Sequence, residues 1–280
     1  MLALANDSLR IEILDPAHAP DLPRLGTRYC WGGYIWQVHD AAVGPLLTGP
    51  EWPVDRPTPF NGQGLPESFR HAEFGTNRPL ILEAGCGFII GIGDVAPNPA
   101  GELVVTTPCA WSLTTTAGAL EFYAAQSGNG YACQLTRRIA LAGRTLTSST
   151  RVTNTGGRPL PLHWFAHPFF ALTDRLLTCD LPADWGMAEN SGYALDARHR
   201  LSFKHRFLHD KSHFEPLRIG TTPLRAGLSH PKLDGLVFST DFVPDFCPVW
   251  GNSNTWSIEP YIQSELAPGT TRAWNLSYEF

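Results

Sequence analysis

Glycine and proline interrupt this chain too often for long helices, with 26 glycines and 24 prolines among 280 residues. A proline inside a helix removes a hydrogen bond and clashes with the preceding turn, at a cost of ~3 kcal/mol. No segment keeps a 3.6-residue apolar period over three turns. Short alternating runs dominate instead, the signature of half-buried strands. Candidate strands are Leu9–Leu14, Arg28–His39, Cys86–Ile92, Glu102–Thr107, Leu120–Ala125, Tyr131–Ala142 and Thr145–Asn154. They continue with Leu160–Phe170, Arg200–Leu208, Leu236–Phe242, Thr255–Ile262 and Thr271–Phe280. Gly143-Arg144 is a two-residue link with Gly first, which suits a type II′ hairpin. A dozen short strands with regular turn signals predict an all-β chain. Its architecture would be an antiparallel β-sandwich, or supersandwich, of two large packed sheets. No repeat or composition break divides the chain, so residues 1–280 read as a single domain. The stretch Gly49–Pro66 reads as a long loop over one end.

Charged residues make up only 17% of the chain, below the usual ~25%, while 43% are hydrophobic. The surface must therefore rely on neutral polar and aromatic side chains, which suit a neutral polar ligand. The formal net charge is −5 and there is no basic run. Nucleic-acid binding requires several cations to displace counterions from phosphates, so that class is excluded. No apolar stretch approaches the length of a spanning helix, so no membrane partner is expected. The N-terminal MLALANDSLRIEIL does not have the pattern of a signal peptide. The cysteines, at Cys30, Cys86, Cys109, Cys133, Cys179 and Cys247, form no C-x-x-C pair. The expectation is a cytoplasmic protein with free thiols. Nothing in the sequence specifies an oligomeric state.

The segment from Arg151 to Phe170 is the richest in chemistry. It runs through Thr153-Asn154-Thr155-Gly156 and Pro159-Leu160-Pro161 to His163-Trp164-Phe165-Ala166-His167-Pro168-Phe169-Phe170. His163 and His167 are four apart, and on a strand of period two they share a face. Spacing alone leaves two readings open: a paired pocket, or one core and one surface histidine.

This segment resembles the stretch of aldose 1-epimerases, the galactose mutarotase-like superfamily, in which a strand and turn lead to a histidine motif. The resemblance implies that His167 is the catalytic acid. Pro168 departs from the motif, as does the lack of Asn on either side of the histidine. A second match is Ser257-Ile258-Glu259-Pro260-Tyr261, continuing to Leu266-Ala267-Pro268-Gly269. It is similar to the superfamily's closing strands, whose glutamate is the general base, and this implies Glu259. The alternative is a surface carboxylate. A third and weaker match is Glu67 to Arg78, which implies that His71 and Arg78 grip sugar hydroxyls, with Glu73 nearby. Gly85 to Asp94 and Gly26 to Val38 are similar to early strands of the same branches.

What the resemblance implies is a cofactor-free isomerase acting on a small-molecule sugar, with His163 and Arg78 positioning hydroxyls. Trp250 or Trp256 would stack on the sugar's apolar face. No metal is called for. His199, His205, His209 and His213 have shared-face spacing, but Lys204, Arg206 and Lys211 interleave and oppose a cation site. No Gly-x-Ser-x-Gly element points to a serine hydrolase. Two alternatives stand beside the mutarotase reading. One is a non-catalytic carbohydrate-binding protein on the same fold. The other is a related enzyme for a phosphorylated or unusual sugar, with Arg70 and Arg78 as candidate phosphate ligands.

Overall fold

A computed structural model of the chain describes residues 1–51, 57–69, 81–83, 86–208 and 211–280. Among these residues the regular structure is β throughout, apart from one 3-10 turn at Leu22–Arg24. The strands form five antiparallel sheets of four, ten, three, five and four strands. The all-β sandwich expectation holds, with one refinement. One layer is a single ten-stranded sheet, whereas the facing layer is divided.

The long central strands of the ten-stranded sheet follow from simple alternation. Along Tyr131–Ala142, the residues Cys133, Leu135, Arg137, Ile139 and Leu141 are buried while Gln134, Arg138 and Ala142 are exposed. The strand pairs with Ala119–Gly128 on one side and Thr145–Asn154 on the other. At the second hairpin Ala142 faces Thr145, and Gly143 takes φ +57°, the backbone region that favours glycine. Thr145–Asn154 then pairs with the C-terminal strand Thr271–Glu279.

The Thr-Asn-Thr-Gly turn and the Leu-Ala-Pro-Gly turn lie side by side. The buried Asn154 donates from Nδ2 to the carbonyls of Arg158 and Leu266, each at 2.8 Å. Its backbone N–H donates to Thr270 O and its carbonyl accepts from Gly269 N. One asparagine therefore closes two turns that are more than a hundred residues apart.

The facing layer packs on the ten-stranded sheet through aromatic rings. Trp164 meets Trp274 with centroids 5.0 Å apart, and Phe170 meets Phe238 at 6.0 Å. A charged network crosses the same interior. Arg137 Nη2 donates to Glu67 Oε1 at 2.5 Å, and Ser148 Oγ donates to the same oxygen at 2.6 Å. Thr150 Oγ1 and Trp164 Nε1 donate to Oε2 at 3.3 and 3.1 Å. Glu67 and Arg137 are 2% and 1% exposed, so each ion depends on the other.

Several expected strands are shorter than alternation suggests; Arg200–Leu208 is strand only over Arg200–Phe203 and Cys86–Ile92 only over Cys86–Ile89. Arg28–His39 is strand only over Ile35–Asp40, because the chain turns at Gly32-Gly33, where Gly33 has φ +71°. Leu160–Phe170 divides into Leu160–Ala166 and Phe170–Ala171. Thr255–Ile262 divides into Thr255–Ile258 and Tyr261–Leu266. The last two breaks have one cause. Pro168 and Pro260 carry no N–H for a ladder bond.

The two breaks are also neighbours. Leu160–Ala166 pairs with Tyr261–Leu266 in the three-stranded sheet. Phe170–Ala171 pairs with Thr255–Ile258 in the five-stranded sheet. Two antiparallel chains thus cross together from one sheet to the other, at His167-Pro168 and at Glu259-Pro260.

Removing one partner of the buried ion pair leaves the other uncompensated. Arg137→Met is expected to lower unfolding free energy by ~3–5 kcal/mol in urea titrations. Adding Glu67→Gln to that variant should recover part of the loss, because no bare carboxylate then remains. A cost below ~1 kcal/mol for Arg137→Met would show that the pair does not hold the layers together.

A candidate active site at the seam between two sheets

His167 follows the last residue of one strand, and Glu259 follows the last residue of another. Each is followed by the proline that ends the ladder, and a residue before proline is driven to an extended backbone. Both side chains therefore emerge where the sheets part. The backbone here is firmly held. His167 N donates to Pro66 O at 2.9 Å, Phe169 N to Gly64 O at 2.8 Å and Glu259 N to Pro248 O at 2.9 Å. Gly64 has φ +80°, and a Cβ there would lie 2.4 Å from Ile35 O, so only glycine fits this floor.

The two side chains meet. His167 Nε2 lies 3.4 Å from Glu259 Oε1, with both side chains 5% exposed. Tyr261 donates its hydroxyl to Glu259 Oε2 at 3.3 Å. The imidazole stacks on Phe169 with centroids 4.4 Å apart and meets the edges of Trp250 at 5.7 Å and Tyr29 at 6.2 Å. Although nearly buried, the pair lines a cavity of about 380 Å³, within the ~300–1,000 Å³ typical of small-ligand sites. Arg28, Asn61, Phe169, Lys211, Ser212, Phe214, Trp250, Asn252 and Tyr261 line it too.

Burial shapes the electrostatics. It pushes the Glu259 carboxyl up to about 7, against the opposing pull of Arg28 and of the Tyr261 hydrogen bond. It pushes His167 well below the ordinary imidazole value of 6.5, and Arg28 acts in the same direction. Both shifts disfavour charge on the pair. Near neutral pH the two groups together hold a single proton, the state needed to act as one acid and one base.

The sequence-predicted residues divide clearly. His167, Glu259 and Trp250 are brought into one cavity. His163 does not line it, because its strand, paired opposite Gln263, ends at Ala166 before the chain crosses the seam. Same-face spacing fails once Pro168 interrupts the strand. Trp256 is buried in the core against Phe170, at 5.3 Å between centroids. His71 and Arg78 lie outside the described residues, as do Arg70, Glu73 and His209. His199, His205 and His213 do not converge on one point. His199 Nδ1 is 3.1 Å from Trp185 O, His205 packs on Phe207, and His213 Nε2 is 3.4 Å from Glu215. Among the described residues no group of three or more His, Cys, Asp or Glu is arranged to hold a metal ion.

Sequence reasoning missed Arg28, Asn61, Asn252 and Lys211, because they reach the cavity from separate loops and strands. Phe169 and Tyr261 also line the cavity, each just past the proline that follows a site residue.

No family model matches the sequence, and no curated protein matches it either. Solved structures do match in shape. A galactose mutarotase-related enzyme from Lactobacillus acidophilus aligns with a TM-score of 0.63 at 14% identity, covering 99% of this chain and 96% of its own. The Slr1438 protein from Synechocystis gives 0.61 at 16% identity, covering 99% and 94%. A galactose mutarotase-like protein from Lactobacillus casei gives 0.59 at 14% identity, covering 100% and 99%. Near-complete coverage of both chains in each pairing shows that this protein has the galactose mutarotase-like fold.

Proposed function

We propose that the protein is an aldose 1-epimerase-like isomerase that interconverts sugar anomers at the His167–Glu259 pair. The observation that carries this reading is the 3.4 Å approach of those two side chains inside a ligand-sized cavity. Ring opening of a pyranose needs one proton delivered to the ring oxygen and one taken from the anomeric hydroxyl. The pair's one proton first passes from Glu259 to His167 across their 3.4 Å contact; His167 then protonates the ring oxygen while Glu259 takes the O1 proton. The C1–O5 bond breaks and C1 becomes an aldehyde. The proton now rests on Glu259, and His167 is neutral. Rotation about C1–C2 presents the other carbonyl face, and closure returns both protons. Trp250 offers an apolar ring beside His167 for the sugar's C–H face, and Asn61, Asn252 and Ser212 offer hydroxyl partners. No cofactor enters the scheme.

Polarimetry on freshly dissolved aldoses tests the reading. His167→Ala and Glu259→Ala should each lower kcat by ~10²–10⁴-fold, the usual contribution of a general acid or base. Both variants retaining the wild-type rate would overturn the assignment. Sugar binding in calorimetry with no acceleration by the wild-type protein would make it a carbohydrate-binding protein instead.

The pH dependence follows from the proton count. Above about 7 the pair loses its one proton as Glu259 ionises. Well below 6.5 it gains a second as His167 protonates. The kcat/KM profile should be a bell with its alkaline limb near pH 7 and its acid limb well below 6.5. Residual activity of Glu259→Gln should lack the alkaline limb. A wild-type profile flat from pH 5 to 9 would contradict the one-proton pair.

Glu259 also carries a stability cost with a definite sign. Its folded value of about 7 lies above the unfolded value of 4.5, so the folded state binds the proton more tightly. Stability is unaffected below 4.5, falls as pH rises through 7, and by pH 8 is lower by ~3 kcal/mol. In thermal melts Glu259→Gln should therefore exceed the wild type at pH 8 and match it near pH 4. Equal melting at both pH values would mean that the carboxylate is better solvated than its burial implies.

A further inference from the structure

We infer that Tyr261 is a positioning residue that holds the Glu259 carboxyl across the seam and favours passage of the pair's proton to His167; this rests on the proposed isomerase reading of the cavity. The two carboxyl oxygens have different surroundings. Among the described residues, Oε1 lies 3.4 Å from His167 Nε2, while Oε2 accepts the Tyr261 hydroxyl at 3.3 Å. Glu259 follows Thr255–Ile258 of the five-stranded sheet, whereas Tyr261 opens Tyr261–Leu266 of the three-stranded sheet. The hydrogen bond therefore spans the break at Pro260 and ties the carboxyl to the sheet from which His167 emerges. With Oε2 occupied as an acceptor, the proton of a neutral Glu259 is left on Oε1, the oxygen that faces the imidazole.

Tyr261 is itself firmly placed. Its ring stacks on Phe165 with centroids 4.7 Å apart and planes 7° from parallel, and it meets Phe246 edge-on at 5.3 Å. Its backbone N–H donates to Phe246 O at 2.8 Å, and its carbonyl accepts from Asp245 N at 3.0 Å. Phe165 also packs on His167 at 6.2 Å, so one ring sets the places of the imidazole and of the tyrosine. Burial pushes the Tyr261 hydroxyl well above the ordinary phenol value of 10, so it keeps its proton and remains a donor near neutrality. When the pair's proton moves, the O–H bond at Oε1 breaks, an N–H bond forms at His167 Nε2, and Tyr261 retains its own proton. A hydrogen bond to a carboxylate is roughly twice as strong as one to a neutral acceptor. The Tyr261 contact thus strengthens as the charge forms, and it favours the state in which His167 can protonate the ring oxygen. Other titratable groups also face Glu259. Burial holds Tyr29, Tyr193 and Cys247 in their neutral forms, and Arg28 favours the carboxylate through space. Lys211 lines the same cavity.

The test is Tyr261→Phe, which keeps the ring on Phe165 and removes only the hydroxyl. In polarimetry on freshly dissolved aldoses, kcat should fall ~tenfold, the scale of one hydrogen bond to a charged group. The alkaline limb of kcat/KM should move up by about one pH unit, because the carboxylate loses a donor while the neutral carboxyl loses little. Carbon NMR of protein labelled at its glutamate carboxyls reads the same group without a substrate. There the Glu259 signal, assigned by its loss in Glu259→Gln, should titrate with a midpoint displaced upward by the same amount. Tyr193→Phe removes a hydroxyl that donates to His213 O instead, and it should leave limb and midpoint in place. The inference is overturned if kcat, limb or midpoint in Tyr261→Phe stays at the wild-type value, or if Tyr193→Phe moves limb and midpoint equally. Either result leaves the isomerase reading standing. If the wild-type protein accelerates no aldose, that reading fails and the NMR midpoint alone decides. An upward move in Tyr261→Phe then sustains the hold on the carboxyl, and an unmoved midpoint overturns it.

Discussion

Two prolines set the geometry on which the candidate site depends. A β-ladder continues only while each residue can offer its N–H, and Pro168 and Pro260 cannot. Because the two interrupted chains run antiparallel and side by side, their breaks coincide and a layer that would otherwise be one sheet divides into two. The residue before each proline stands at the opening. Those residues are His167 and Glu259, so the interruption that ends the strands also brings an imidazole and a carboxyl together. The feature that departs from the family motif at the sequence level, proline after the histidine, is here part of how the site is made.

The seam needs firm support, and the interior supplies it through a second unusual feature. Glu67 lies in a short strand paired to Phe165–Ala166, immediately before His167. Its carboxylate collects Arg137, Ser148, Thr150 and Trp164 from both layers. A buried ion pair is a poor source of net stability, since desolvation consumes most of the attraction. Its value here is positional. The network fixes the segment whose Pro66 carbonyl receives the His167 amide and whose Gly64 carbonyl receives that of Phe169. One ion pair therefore connects the rigid ten-stranded sheet to the backbone of the site.

The candidate site buries two titratable groups at a cost in stability. Phe169, Trp250 and Tyr29 remove water from the His167–Glu259 pair, and the resulting shifts move both groups toward their neutral forms. An exposed glutamate would be too weak a base and too strong an acid to exchange a proton with a sugar near neutrality. Raised to about 7, it lies close to the working range. Arg28 limits that rise by favouring the charged carboxylate.

Much of this could be read from the sequence. The density of Gly and Pro excludes helices, alternation along Tyr131–Ala142 and Thr145–Asn154 identifies the central hairpin, and Gly143 marks its turn. His167 and Glu259 were legible through the motifs around them. The limits of the strands at the seam were not, because alternating apolar residues run through Pro168 and Pro260 without a change of pattern. His163 stays outside the described lining of the cavity for the same reason, as its period-two relation to His167 ends where the ladder ends. The sequence by itself determined which residues alternate, which ones turn and which are titratable, since these are local properties of side chains and backbone. Only the tertiary structure decided that the two breaks lie side by side, that Arg28 arrives from a distant loop, and that burial moves two ordinary titratable groups toward one shared proton. Those outcomes depend on distance and desolvation between segments far apart in the chain, which neither spacing nor composition encodes.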